Sequence, residues 1–247
     1  MIKIILCCFN EAENLKKLLP DLEREMQLVK RDFELLICLD GTSDESLEVI
    51  NNFSQNCKIK VLPQINQRGL GLAYKRLFLE IVKTCHDNDL VISLDADNTH
   101  DPQQIGEMLT YFEKNSLDFL VASRFYGNSL MEDFPFYRKM ISKGTSLLLQ
   151  TIFAVKKISG ENLQDYTSGY RIYRVEKIKK LFAQEQNNFI TEPEFTYTCE
   201  FIIKLSRIES RIDEIAISYD YGKKIGQSKL RIMRNFLRLL IMLKNLA

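Results

Sequence analysis

The chain has 247 residues, 45% hydrophobic and 27% charged, the make-up of an ordinary soluble globular protein with a substantial core. A formal net charge of +1 exerts no global pull on nucleic acid, so no nucleic-acid partner is expected and any basic function must be local. The longest aliphatic run, Leu239 to Leu243, is far short of the ~20 residues that span a bilayer, and the opening MIKIILCCFNEAENL turns acidic too soon for a secretory signal, so the expected location is cytoplasmic.

In chain order, short β-like runs stand at Ile2–Cys8, Glu34–Leu39, Ile59–Leu62, Leu90–Leu94 and Phe119–Ser123. Helical patterns separate them near Glu13–Arg31, Ser43–Ser54, Gly69–Thr84 and Pro102–Lys114. The last of these starts from Asp101 as N-cap, with Pro102 at the first helical position. This alternation predicts an α/β fold, a doubly wound and mainly parallel sheet with helices on both faces. After residue 125 come a long helix over Phe136–Phe153, a strand near Tyr170–Tyr173, and a helix from Val175. A further helix is expected over Glu194–Ile208 and a strand over Arg211–Tyr221, followed by the loop GKKIGQSK and a C-terminal helix. A single domain is expected. Residues 1–125 form its first half, 126–228 its second half, and 229–247 a basic amphipathic helix.

Three strands end in acidic or polar groups: Asn10 and Glu11, Asp40 and Asp44, and Asp95 and Asp97. In a doubly wound sheet, ligands bind outside the carboxyl ends of the strands, so these groups converge on one crevice. Asp95 and Asp97 stand two residues apart, and in an extended chain such residues point to the same side. A divalent cation there would relieve their repulsion, and Mg²⁺ favours one or two carboxylates plus phosphates and water. A solvated turn is the alternative for this pair. The six cysteines show neither CxxC spacing nor a metal-finger pattern, and three lie inside apolar runs, so they read as small hydrophobes.

The segments FNEAENL, LDGTSDES, NQRGLGLA, DAD and ASR together resemble the nucleotide half of the inverting family-2 glycosyltransferases, which have the GT-A fold. FPFYRKMISKG, DYTSGYRIYR and GQSKL resemble the dolichol-phosphate mannosyltransferase branch, so the likeness runs along nearly the whole chain. The resemblance implies that Cys7, Phe9 and Glu11 contact the nucleoside, with Cys7 where proline is usual. It implies that Asp40 addresses base or ribose, with Leu39 replacing a usual acid beside it. Asp95, Ala96 and Asp97 would be the diphosphate–metal element, Asp95 and Asp97 holding Mg²⁺ or Mn²⁺. Arg124 and Arg138 match basic residues near the phosphates and acceptor, and Lys223 and Lys229 match a basic loop that closes over the donor. Asp97, Arg124 and Lys229 are the expected catalytic residues.

The implied reaction moves one sugar from a nucleoside-diphosphate sugar, GDP-mannose or a UDP-hexose, to a polyprenyl or dolichyl phosphate. Such an acceptor is already anionic and needs no general base. A family-2 transferase acting on a hydroxyl of a cell-surface glycan would need one, and Glu192, Glu194 and Glu200 stand where a base would be; their structural reading is preferred. The opening strand lacks the Gly-rich basic loop of sugar nucleotidyltransferases, and the intact Asp95, Asp97 and GQSK set argues against a binding module without chemistry. In the C-terminal helix Arg231, Arg234 and Arg238 line one face, with Ile232, Met233, Phe236, Leu237, Leu240 and Leu243 on the other. Such a helix either lies in a bilayer interface, giving peripheral membrane contact at the cytoplasmic face, or packs on the protein.

Overall fold

The computed structural model describes residues 1–62, 68–226 and 232–246. Strand β1 (Ile2–Cys8) lies between β2 (Phe33–Leu39) and β4 (Leu90–Ser93), parallel to both, with Ile2 opposite Phe33 and Leu90. Apart from the paired Lys3 and Glu34 and the terminal Ser93 these strands are apolar, because helices cover both faces of the sheet. The full order is β3-β2-β1-β4-β7-β5-β8, where β3 is Ile59–Leu62, β5 is Phe119–Ser123, β7 is Arg171–Arg174 and β8 is Ile212–Ala216. β7 runs antiparallel between β4 and β5, so strands from both expected halves of the chain share one sheet.

Helices α1 (Ala12–Val29), α2 (Ser46–Phe53) and α4 (Ile105–Lys114) bury Leu15, Leu22, Ile50, Met108 and Phe112 against one face. Helices α3 (Leu70–Thr84), α6 (Val175–Glu185) and α7 (Tyr197–Ser206) bury Leu77, Phe78, Ile178 and Phe201 against the other. Helix α8 (Ile232–Leu246) joins this second core through Leu239, Met242 and Leu246. The long helix α5 (Phe136–Phe153) buries only Ser146 and Leu149. Among the described residues no helix is long and apolar enough to cross a membrane.

Several element ends depart from the sequence expectation for local reasons. α2 starts at Ser46 rather than Ser43, because Asp44 accepts the Ser46 amide at 3.0 Å and its hydroxyl at 2.6 Å, holding the preceding residues in a turn. α7 starts at Tyr197, after turns at Glu194 and Phe195. The single strand expected over Arg211–Tyr221 breaks at Ile217. Its second piece, β9 (Ser218–Asp220), leaves the main sheet and pairs in parallel with β6 (Leu130–Glu132). β6 is three residues long, too short to show an alternating pattern. Asp101 does cap: its carboxylate accepts the Gln103 amide at 3.0 Å, opening a single 3₁₀ turn at Pro102 before α4.

Candidate active site

β1, β2 and β4 deliver their carboxyl ends to one edge, where the strand order reverses and an open α/β sheet leaves its ligand crevice. A cavity of about 680 Å³ opens there. Its walls bring together Cys7 in β1, Phe9 and Glu11 after it, Asp40 after β2, Asp95, Ala96 and Asp97 after β4, Arg124 after β5, and Arg138 of α5. Asn10 and Asp44, also at strand ends, serve the turns: Asn10 Oδ1 accepts the Ser43 amide at 2.8 Å, and Asp44 accepts the Ala12 amide at 3.0 Å.

On the β1–β2 side, both Asp40 oxygens accept the Gly69 amide, at 3.0 and 3.1 Å, and burial raises the affinity of this carboxyl for its proton. The Arg68 guanidinium lies 3.4 Å from the centroid of the Phe9 ring, stacking a cation on an aromatic face. Gly41, at φ +73°, makes room for it, since a Cβ there would stand 2.8 Å from Arg68 Cδ. Burial, reinforced by Asp40, pushes the Cys7 thiol well up, so Cys7 is a wall residue and not a nucleophile. Glu11 accepts from Asn14 Nδ2 at 2.6 Å. A carboxylate, an aromatic face and a guanidinium on one wall can bind a base and its ribose.

Asp95 and Asp97 differ in surroundings. Burial raises the Asp95 carboxyl, and the nearby Asp97 charge adds to this against the pull of His100 and Lys224. Burial also opposes charge on Asp97, but the Lys224 ammonium on its Oδ2 and the Thr99 hydroxyl on Oδ1, at 2.6 Å, outweigh it and hold the carboxyl below the usual range. The backbone amide of Asp95 donates to His100 Nδ1 at 3.0 Å, so that nitrogen carries no proton, and burial lowers the imidazole's basicity further. Gly169 keeps the space beside Asp95 open: a Cβ there would stand 3.2 Å from Asp95 Oδ1.

Arg124 is buried, and Asp165 holds it through Nε at 2.9 Å and Nη2 at 3.0 Å, with Thr167 accepting from Nη2 at 2.6 Å. Arg138 donates from Nη1 to the Tyr221 hydroxyl at 3.2 Å. Lys223 is not brought to the cavity wall; it pairs with Asp101 at 2.9 Å, and the adjacent Lys224 faces Asp97 instead. Lys229 and Arg231 lie outside the described residues. Of the three candidate bases only Glu194 lines the cavity, paired with Arg234 at 2.7 Å. Glu192 is buried against Arg238 at 3.0 Å, and Glu200 accepts the Thr191 and Glu192 amides and pairs with Lys204 at 2.8 Å.

His100, Asp165, Thr167 and Lys224 were missed as site residues. Asp165 and Thr167 stand inside DYTSGYRIYR, a motif read without residue roles, and Lys224 stands inside GKKIGQSK, where the role was given to Lys223 and Lys229 instead. His100 carried none beyond following the DAD element.

A mostly parallel sheet with helices on both faces and an Asp-Ala-Asp element at its switch point is the GT-A architecture of glycosyltransferases. The chain belongs to the glycosyl transferase family 2, whose model matches residues 3–182. It is 29% identical over 178 residues to a dolichol-phosphate mannosyltransferase of Pyrococcus furiosus, covering 72% of this chain and 47% of that protein. The chain thus spans about half the length of that relative. It is 27% identical over 191 residues to an undecaprenyl-phosphate mannosyltransferase of Micrococcus luteus, covering 77% of this chain and 71% of the relative. In fold it is similar to the glucosyl-3-phosphoglycerate synthase of Mycobacterium tuberculosis, solved with Mn²⁺, UDP and glucosyl-3-phosphoglycerate. That match has a TM-score of 0.64 at 13% identity and covers 100% of this chain and 79% of the other.

Proposed function

We propose that this protein transfers one hexose, with inversion, from GDP-mannose or a UDP-hexose to a polyprenyl phosphate, using Mg²⁺ or Mn²⁺ at a membrane surface. The observation that carries this reading is the composition of one cavity. Asp40, Asp95, Asp97 and Arg124 stand at the sheet edge, and Arg138 of α5 and Arg234 of α8 line the same cavity. The outer surfaces of these two helices expose Phe136, Met140, Leu147, Met233, Phe236 and Leu240. A phosphate on an apolar chain needs cations inside the crevice and apolar surface at its mouth.

Asp95 and Asp97 fit a divalent cation. They are hard oxygen donors in one cavity, with space beside Asp95 kept open by Gly169. Two carboxylates leave the remaining positions to substrate phosphates and water, which suits Mg²⁺ or Mn²⁺. Bound there, the cation would stabilise the charge developing on the leaving diphosphate. Arg124, held rigid by Asp165, adds a fixed positive charge at that end of the cavity, which costs no reorganisation during reaction. Arg138 offers its charge from the α5 side, where an acceptor phosphate would enter. A phosphate monoester attacks as an anion, so no proton has to be removed.

Glu194 on the cavity wall favours a second reading, a hydroxyl acceptor with Glu194 as base, although Arg234 occupies its carboxylate. Labelled nucleotide sugars incubated with Mg²⁺ or Mn²⁺ and a polyprenyl phosphate in detergent test the choice. Organic-extractable label with one donor, abolished by EDTA and by Asp97→Asn, supports the first reading. Donor hydrolysis without lipid transfer moves the assignment to the second.

A further inference from the structure

Lys224 reaches Asp97 across 127 residues of sequence, and the loop that carries it is pinned. Asn14 of α1 donates from Nδ2 to the Ile225 carbonyl and accepts the Ile225 amide on Oδ1, both at 3.0 Å. The same buried amide donates to Glu11 at 2.6 Å and accepts from Asn98 Nδ2 at 3.0 Å. One side chain therefore ties together the nucleoside segment after β1, the turn after Asp97 and the basic loop. The pair it sets up is largely removed from water, with the Lys224 and Asp97 side chains 10% and 14% exposed. Asp97 has no idle oxygen: Thr99 donates to Oδ1 and Lys224 to Oδ2.

We propose that Lys224 is a built-in counter-cation, whose ammonium holds the Asp97 oxygen that a divalent cation would take until a nucleotide arrives, with Asn14 as the residue that positions it. This rests on the reading of Asp95 and Asp97 as cation ligands. A cation arriving alone must displace the ammonium from Asp97 and then face its charge at close range, in a cavity it shares with Asp95 and Glu11. A cation arriving with a diphosphate supplies the ammonium with new oxygens at the same moment. Cation binding is therefore weak without nucleotide and strengthened by it, and Lys224 passes from Asp97 to the phosphates.

Mn²⁺ binding to the full chain, read as loss of the free-ion signal in electron paramagnetic resonance, tests this with and without GDP or UDP. Lys224→Gln and Lys224→Met are expected to bind Mn²⁺ about tenfold or more tightly than wild type when nucleotide is absent, and nucleotide should narrow the gap. Lys224→Arg keeps the charge and stays near wild type. Lys223→Gln, which removes the neighbouring charge paired with Asp101, separates this contact from general charge loss and should shift binding little. Unchanged or weaker binding in both neutral Lys224 variants, with wild type still binding Mn²⁺ in the presence of nucleotide, overturns the counter-cation and leaves the proposed function standing. No Mn²⁺ binding by any of these proteins with either nucleotide overturns both.

Discussion

The Arg124 guanidinium and the Asp165 carboxylate form a bidentate pair, Nε to Oδ2 at 2.9 Å and Nη2 to Oδ1 at 3.0 Å, with both residues buried. Asp165 Oδ1 also accepts the Thr167 and Ser168 amides at 3.0 Å, so the loop before β7 is built around this carboxylate. Asp165→Asn leaves a buried guanidinium uncompensated and is expected to lower stability by about 3–5 kcal/mol, measured by urea unfolding. Transfer activity falls with it, because Arg124 loses the partner that aims it.

The same pair sets an acid response. Burial opposes the Asp165 charge, but Arg124 and the backbone amides outweigh it and hold the carboxyl below its ordinary value. Its stabilisation is complete above the unfolded-state value of about 3.9 and is lost as pH falls through the lower folded value. Wild-type stability should thus fall steeply below about pH 4, and Asp165→Asn should fall less steeply over that window. Parallel slopes in unfolding curves from pH 7 to pH 3 would remove Asp165 from the acid response.

Gly71 sits where α3 meets the turn ahead of α7. A Cβ there would stand 2.0 Å from the Glu192 carbonyl oxygen, and the Gly71 amide donates to Pro193 O at 3.0 Å. Backbone on both sides has no rotamer with which to yield. Gly71→Ala should therefore cost about 1–3 kcal/mol in urea unfolding and weaken donor binding, since Gly69, two residues earlier, holds Asp40.

Glu194→Gln discriminates between the two acceptor classes. With a phosphate acceptor, turnover should stay within about threefold of wild type, whereas loss of a general base costs about 10²-fold or more. Steady-state rates with a saturating donor decide this.

The apolar outer row of α8 gives a membrane test. Phe236 and Leu240 are 54% and 48% exposed. Replacing both with glutamate is expected to lower partition onto anionic liposomes about tenfold or more, with nucleotide binding kept. Equal flotation of wild type and variant would exclude α8 from membrane contact.

Much of this fold is legible locally. The alternation of β1 to β5 with α1 to α4 is written in short apolar periods and turn residues, and those strands begin and end within a residue of the sequence reading. The carboxylates at the ends of β1, β2 and β4 follow from the same logic, because a parallel sheet places those ends on one edge. The family motifs extended this to Arg124 and Arg138, which line the same cavity, whereas in the basic loop it is Lys224 and not the expected Lys223 that reaches the wall.

Long-range contacts were decided by tertiary structure. Nothing local in Arg171–Arg174 indicates antiparallel insertion between β4 and β5, since strand direction depends on the path of the loops around it. Two adjacent lysines are equivalent in sequence, yet the Asn14 clamp on Ile225 brings Lys224 to Asp97 and leaves Lys223 on Asp101. The helical period of α8 separates a basic from an apolar face without saying which turns inward. Arg234 and Arg238 turn toward Glu194 and Glu192, and the Glu192 carboxylate compensates the partial desolvation of Arg238. Leu243, read as part of the apolar face with Met233, Phe236, Leu237 and Leu240, packs with Leu239 and Met242 on the core, while Ile241 joins the other four outside. The periodicity is a property of the chain alone, and the choice of face belongs to the partners that folding brings to it.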